Sequence, residues 1–200
     1  MTPEDCSPKH FWRTRLREEN RRHPAAERHD ASLRLCERLA QNPLWQRSQC
    51  VLLFTPLPDE PDLSTLLASA LATGKLVALP RHVPATDTYE AALIRHPATD
   101  LRPGKFGVLE PSTACATLPL MQLDLLLVPG IGFDVLGRRL GRGKGYYDRL
   151  LSQTPSAKCG VAFDWQLVEQ LPAEPHDVPM NYLATPARWL TCEMPTHDLP

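Results

Sequence analysis

The residues best suited to chemistry lie between Asp124 and Arg149, in the stretch Asp-Leu-Leu-Leu-Val-Pro-Gly-Ile-Gly-Phe-Asp-Val-Leu-Gly-Arg-Arg-Leu-Gly-Arg-Gly-Lys-Gly-Tyr-Tyr-Asp-Arg. An apolar run, Leu125 to Val128, stops at Pro129-Gly130, and six of the chain's ten glycines then fall between Gly130 and Gly145. Glycine costs backbone entropy, so its concentration marks a backbone that takes positive φ or lets something approach closely. Arg138, Arg139, Arg142 and Lys144 are interleaved with those glycines. Exposed backbone N–H groups with interspersed cations form a nest for anions, and a helix starting near Gly145 adds its positive end. The segment reads as a loop that holds phosphate. A Walker A loop does not account for it, because Arg138 and Gly145 stand where glycine and Ser or Thr are needed. The dinucleotide fingerprint fails too, at Val135 counted from Gly130 and at Tyr146 counted from Gly141. A flexible linker with solvated arginines gives no reason for the close at Tyr146-Tyr147-Asp148.

Other chemistry-bearing residues are scattered. Lys9 and Arg13 stand four apart on a predicted helix and leave one face together. They could grip a nucleotide's phosphates, or belong to a solvated basic face with Arg15, Arg17, Arg21 and Arg22. Asp148 directly follows the anion loop. Mg²⁺ takes oxygen ligands, commonly one or two carboxylates plus substrate phosphates, so Asp148 is a candidate ligand; as a first-turn acid it could equally serve its own helix. Asp134, before a glycine-containing turn, reads as turn chemistry. Glu60, in a loop at a strand's carboxyl end, could accept paired N–H bonds from an aminopyrimidine ring such as a pterin. Phe106, Tyr146 and Tyr147 could stack on a flat heterocycle or simply fill core. His176 could be catalytic, although an isolated loop histidine is more often a structural hydrogen-bonder, and the other six histidines show no ligand spacing.

The elements that must position these residues can be read from the apolar runs. Ser7-Pro8 supplies a cap and a first-turn proline for a helix to about Arg22. A second helix covers about Ala25 to Gln41, a third Leu63 to Thr73, a fourth Tyr146 to Gln153, and a short one Gln166 to Gln170. Strands are expected at Cys50–Phe54, Leu76–Leu79, Tyr89–Ile94, Val108–Leu109, Leu125–Val128, Cys159–Ala162 and Tyr182–Thr185. Continuous apolar strands alternating with helices imply a mostly parallel sheet covered on both faces. Ligands of such sheets bind beyond the carboxyl ends of the strands. There the reading puts the loops Thr55–Glu60, Pro80–His82 and Pro129–Gly145. Two hundred residues at 42% apolar suit one domain. The net charge of −1 leaves any anion binding local and favours neither nucleic acid nor membrane. Neither a long apolar run nor a signal-peptide core is seen. The six dispersed cysteines, without a Cys-x-x-Cys, fit free thiols in a reducing cytosol.

The glycine-rich segment closely resembles the signature of the 5-formyltetrahydrofolate cyclo-ligases, also called 5,10-methenyltetrahydrofolate synthetases. The matching block is Pro129-Gly130-x-x-Phe133-Asp134-x-x-Gly137-x-Arg139-Leu140-Gly141-x-Gly143-x-Gly145-Tyr146-Tyr147-Asp148. Lys9 and Arg13 resemble the family's N-terminal basic pair, Pro56 and Glu60 its short Pro-to-acid loop, Phe106 to Pro111 its Phe-Gly-x-x-Glu-Pro element, and His176-Asp177 its acidic element near the C-terminus. Departures are small: Phe54-Thr55 replaces a Tyr-rich sequence, and Asn181 stands where an acid is frequent.

The resemblance implies an α/β three-layer sandwich with a mostly parallel, Rossmann-like central sheet, resembling the sugar-phosphate isomerase and CoA-transferase-like group. It implies a single domain over 1–200, with short flexible tails at about 1–6 and 193–200, acting as a cytoplasmic monomer without nucleic-acid or membrane partners. The implied reaction converts 5-formyltetrahydrofolate and MgATP to 5,10-methenyltetrahydrofolate, ADP and phosphate. The implied ATP site is Lys9, Arg13, Arg139, Leu140, Gly141, Arg142, Gly143, Lys144, Gly145, Tyr146 and Tyr147. Folate contacts are implied for Thr55, Glu60, Phe106, Arg142, Gly143, Lys144, Gly145 and Tyr146, with Arg142 and Lys144 in the catalytic role. Mg²⁺ falls to Asp148 and Asp177. Two other readings stay open: a sugar-phosphate or CoA-handling enzyme on a similar scaffold, and a nucleotide- or folate-binding relative without turnover.

Overall fold

The structure, a computed structural model, describes residues 7–192. Ser7 caps the first helix, its Oγ accepting the His10 N–H at 3.1 Å, and Pro8 fills the first helical position. This gives α1 (Pro8–Arg22), followed by α2 (Ala25–Gln41), whose buried stripe runs through Ala31, Leu35 and Leu39. A short α3 (Pro43–Arg47), capped by the Asn42 side chain, was not visible in the periodicity. The first half of the chain continues as β1 (Cys50–Leu52), α4 (Ser64–Ala72), β2 (Leu76–Val83), β3 (Thr88–Ile94) and α5 (Pro97–Asp100). Next come β4 (Leu101–Pro103), β5 (Leu109–Pro111), β6 (Thr117–Leu118) and β7 (Leu125–Pro129). The second half is β8 (Gly132–Asp134), β9 (Arg139–Leu140), α6 (Tyr146–Leu151), β10 (Ala157–Val161), β11 (Leu167–Val168), β12 (Tyr182–Ala184) and β13 (Trp189–Thr191).

Eight strands form the central sheet in the order β13-β12-β10-β7-β1-β2-β3-β6. The five from β12 to β2 are mutually parallel, while β13 on one edge and β3 on the other pair antiparallel with them, and β6 in turn pairs antiparallel with β3. The alternation of side chains along β7 shows the layering. Leu125 and Leu127 face the side covered by Leu35 and Leu39 of α2 and Leu66 and Ala70 of α4. Leu126 and Val128 face Leu150 and Leu151 of α6 and Phe133 of β8. Each fully buried aliphatic side chain adds roughly 1.5–3 kcal/mol of transfer free energy, and β7 is buried throughout. The three-layer α/β expectation holds.

Three local expectations are corrected. Pro80–His82 is not a loop: β2 runs on to Val83, pairing Arg81 with Glu90 and His82 with Tyr89 across a hairpin. Gln166–Gln170 is not a helix. A 3-10 turn at Asp164–Gln166 places the Gln166 amide on the Gly130 and Ile131 carbonyls, and β11 then pairs parallel with β8. Nor is Pro129–Gly145 wholly loop, because β8 and β9 make an antiparallel hairpin inside it. Leu16 of α1 docks on that hairpin against Ile131, Leu140 and Leu171. Cys36, Cys50, Cys115, Cys159 and Cys192 are free thiols. Cys6 and the expected tails lie outside the described residues. Among the described residues no helix is long and apolar enough to cross a membrane.

Candidate active site

From β1 the chain crosses to β2 on one side, and from β7 it crosses to β10 on the other. The sheet therefore reverses its winding between β1 and β7, and a crevice outside the carboxyl ends of the strands at such a point is where open α/β sheets take ligands. The loop after β1 and the glycine-rich segment after β7 meet there. Arg142 donates from Nε and Nη2 to Glu60 Oε1 at 3.2 and 3.0 Å, and Nη2 also reaches Asp59. The other oxygen of Glu60 accepts the Leu57 N–H at 3.0 Å. Only 7% of the Glu60 side chain is exposed. Burial pushes its carboxyl above the ordinary range, with the Leu57 N–H and Arg142 opposing. Burial also weighs against the Arg142 cation, but the two carboxylates outweigh it and raise its pKa.

Helix α1 braces both loops along one stripe. Lys9, Arg13, Leu16 and Asn20 recur at three- and four-residue intervals and so share a face. Lys9 Nζ lies 2.9 and 2.7 Å from the Asp177 oxygens and 3.1 Å from Glu174. Arg13 Nε donates to the Gly141 carbonyl at 3.0 Å, and burial lowers its pKa. Asn20 donates to the Asp59 carbonyl at 2.7 Å while accepting from Trp165 Nε1 at 2.8 Å. The basic face of α1 is thus partly committed structure, not simply solvated charge.

Within the loop, Gly143 sits at φ 95° and Gly145 at φ 65°, the latter capping α6. Leu140 is buried under Leu16, and Lys144 is exposed with no ion pair among the described residues. Arg139 points inward. Its Nη2 lies 2.9 Å from both oxygens of Asp148, and its guanidinium lies 5.5 Å from the Tyr147 ring centre. Tyr147 faces the core, and burial raises its phenol pKa well above the ordinary value. Asp134 is fully buried and spends its oxygens on the N–H groups of Leu136, Arg138 and Leu171, the turn role expected of it.

As cation sites the carboxylates differ. Asp148 has both oxygens on Arg139, so it fits a metal only if that pair opens. Glu174, His176 and Asp177 offer three donor atoms within 4.8 Å of one another, the single such group among the described residues, but the Lys9 ammonium already lies against two of them. His176 itself is exposed, 3.3 Å from Glu174.

A second network borders the loop and was not foreseen. Asp87, in the β2–β3 turn at φ 50°, accepts from Lys105 Nζ at 2.7 Å and from Tyr146 Oη at 2.8 Å, and pairs with His82 Nε2 at 2.8 Å. Those three partners hold its carboxyl well below the ordinary range. Buried Glu110 accepts the backbone N–H groups of His82 and Lys105, and Thr55 donates to the Leu109 carbonyl at 2.6 Å. Tyr146 is therefore oriented by residues far away in sequence. The Phe106 side chain lies outside what the structure describes. The polar Thr86-Asp87-Thr88 turn and the Gly104-Lys105 step were the available signals, neither specific.

A glycine-and-cation loop facing a buried carboxylate across the switch point of a parallel sheet is the arrangement of an α/β enzyme site. The comparisons make this particular: residues 6–186 match the 5-formyltetrahydrofolate cyclo-ligase family, and the chain belongs to it. The 5-formyltetrahydrofolate cyclo-ligase of Escherichia coli K12 is 36% identical over 142 residues, covering 69% of this chain and 78% of its own. That of Haemophilus influenzae is 34% identical over 173 residues, covering 84% and 92%. The 5,10-methenyltetrahydrofolate synthetase of Aquifex aeolicus superposes with a TM-score of 0.84 at 30% identity, covering 96% of this chain and 98% of its own.

Proposed function

We propose that this cyclo-ligase converts 5-formyltetrahydrofolate and MgATP to 5,10-methenyltetrahydrofolate, ADP and phosphate in the crevice between β1 and β7. The N5 formyl group is an amide, and its oxygen cannot leave as hydroxide at a useful rate. Attack of that oxygen on the γ-phosphorus expels ADP and turns the oxygen into a phosphate ester. The N10 lone pair then adds to the formyl carbon, the C–O bond breaks to release phosphate, and N10 gives up its proton. No protein nucleophile is required. The protein aligns two substrates and neutralises the moving phosphoryl group, so its contribution is positioning and electrostatics.

The observation that carries this reading is the meeting of Arg142 with Glu60 across the switch point. In the proposal the N–H groups of Gly141 to Gly145, with Lys144 and Arg142, take the phosphates. Lys9, Arg13, Arg139, Leu140, Tyr146 and Tyr147 shape the nucleotide side. Glu60 receives the pterin's N–H donors with Thr55 and Tyr146 on the same side, and Phe106 keeps the folate role implied by the family resemblance. Mg²⁺ enters with ATP and is held chiefly by phosphate oxygens and water. Asp177 is the carboxylate that would hold it, by exchange with Lys9, while Asp148 stays on Arg139. When bound, the metal offsets charge on the phosphates. The test is purified protein with 5-formyltetrahydrofolate and MgATP, followed by the methenyl chromophore. Product that requires ATP supports the reading, and ligand binding without product contradicts it.

A further inference from the structure

Arg142 and Glu60 are assigned above to different substrates, yet in the structure they hold each other. The guanidinium spends Nε and Nη2 on Glu60 and Nη2 also on Asp59. A phosphate taking the same fork must displace these carboxylates. Likewise, a pterin offering paired N–H donors to Glu60 Oε1 must displace Arg142.

The two sides of this contact are not equally fixed. Asp59 is held by Asn20 through its carbonyl, and the second oxygen of Glu60 holds the Leu57 N–H. Arg142 lies between Gly141 and Gly143, the latter at φ 95°, in an exposed stretch of loop. Glu60, 7% exposed, is the mount and Arg142 the moving part, while Asp59, 40% exposed and anchored among the described residues only through its backbone carbonyl, adds a second charge to the hold. Once Arg142 leaves, Glu60 remains a carboxylate in a desolvated site with one N–H bond. Such a group gains strongly from new donors, because leaving it unpaired is costly.

We propose that Asp59 and Glu60 form with Arg142 a latch that couples the two substrates: nucleotide phosphate draws Arg142 away, and the released Glu60 receives the folate ring. The inference rests on the substrate assignment made above. Each ligand removes the other's competitor, so the coupling is positive, and linkage makes it reciprocal. Asp59 touches neither ligand in this arrangement. It is a positioning residue that acts through Arg142, and it sets how strongly the latch is held.

Equilibrium binding tests this. 5-Formyltetrahydrofolate is titrated with and without saturating Mg²⁺ and adenylyl imidodiphosphate, which cannot transfer its terminal phosphoryl group, and the analogue is titrated with and without folate. In the wild type each ligand is expected to tighten the other by the same factor, about fivefold or more. Asp59→Asn keeps the shape and removes one charge from the latch. It is expected to tighten the analogue alone while the coupling factor falls towards one, which a merely structural residue would not produce. Equal folate affinity with and without the analogue in the wild type, or undiminished coupling in Asp59→Asn, overturns the latch. Turnover with MgATP in a protein whose binding is uncoupled sinks the latch alone. Absence of both turnover and folate binding sinks the substrate assignment with it.

Discussion

A single nitrogen of Arg139, Nη2, lies 2.9 Å from both carboxylate oxygens of Asp148. The arginine side chain is 4% exposed and its Nε has no hydrogen-bond partner among the described residues, so Asp148 is its main counter-charge. Breaking a buried pair strands the remaining charge, at about 3–5 kcal/mol. Asp148 keeps 17% exposure, which puts Asp148→Asn near the low end, about 3 kcal/mol in a urea melt. The Mg²⁺ concentration for half-maximal rate is expected to stay unchanged. A raised Mg²⁺ requirement with an unmoved melt midpoint would return Asp148 to the metal.

Lys144 is exposed and unpaired among the described residues, so its removal costs the fold little, within about 0.5 kcal/mol. A charged hydrogen bond to phosphate is worth about 1.5–3 kcal/mol. Lys144→Ala is therefore expected to lower kcat/KM at least tenfold, about 1.4 kcal/mol or more, with an unaltered melt. Near wild-type turnover removes Lys144 from the mechanism.

At Gly143 an added Cβ would meet nothing closer than the Arg13 guanidinium at 3.5 Å, but φ is 95°. The obstacle to a side chain is conformational, not steric, at about 1–3 kcal/mol. Because the loop is exposed, Gly143→Ala is expected to distort it locally, leaving the urea midpoint nearly intact while activity is lost. A protein that instead unfolds, yet still binds nucleotide in its folded fraction, would make Gly143 a structural glycine.

Burial places Glu60 above its ordinary value of 4.5. A carboxyl whose folded value is raised binds protons more readily in the folded state. Its contribution to stability is present below pH 4.5 and falls as pH rises through the raised value. Glu60→Gln lacks this titration. The urea-melt stability of wild type minus variant is therefore expected to decline with rising pH across that window. A rising difference would mean that Arg142 dominates and holds the carboxyl low.

The elements nearest to strong local chemistry were legible. Ser7-Pro8 marked the start of α1, and Leu125 to Val128, apolar at every position, marked the central strand. Pro80 misled because proline usually breaks strands, whereas here β2 continues through it along β3. Gln166 misled because its role is a long-range amide bridge to Gly130 and Ile131. The cations and glycines that the structure brings to the switch point after β7 stand out in the sequence by their spacing. Asp59, Asp87 and Lys105 do not, since their meaning lies in partners 83, 59 and 41 positions away: Arg142 for Asp59, and Tyr146 for Asp87 and Lys105.

The proposed reaction turns on phosphorylation of the formyl oxygen in the crevice between β1 and β7. Isotope transfer tests it directly: 5-formyltetrahydrofolate carrying ¹⁸O in the formyl group is turned over with unlabelled ATP, and the inorganic phosphate is analysed by mass. The mechanism predicts one ¹⁸O in each phosphate, released in equal amount with methenyl product. Unlabelled phosphate, with the ¹⁸O found in water, would contradict it.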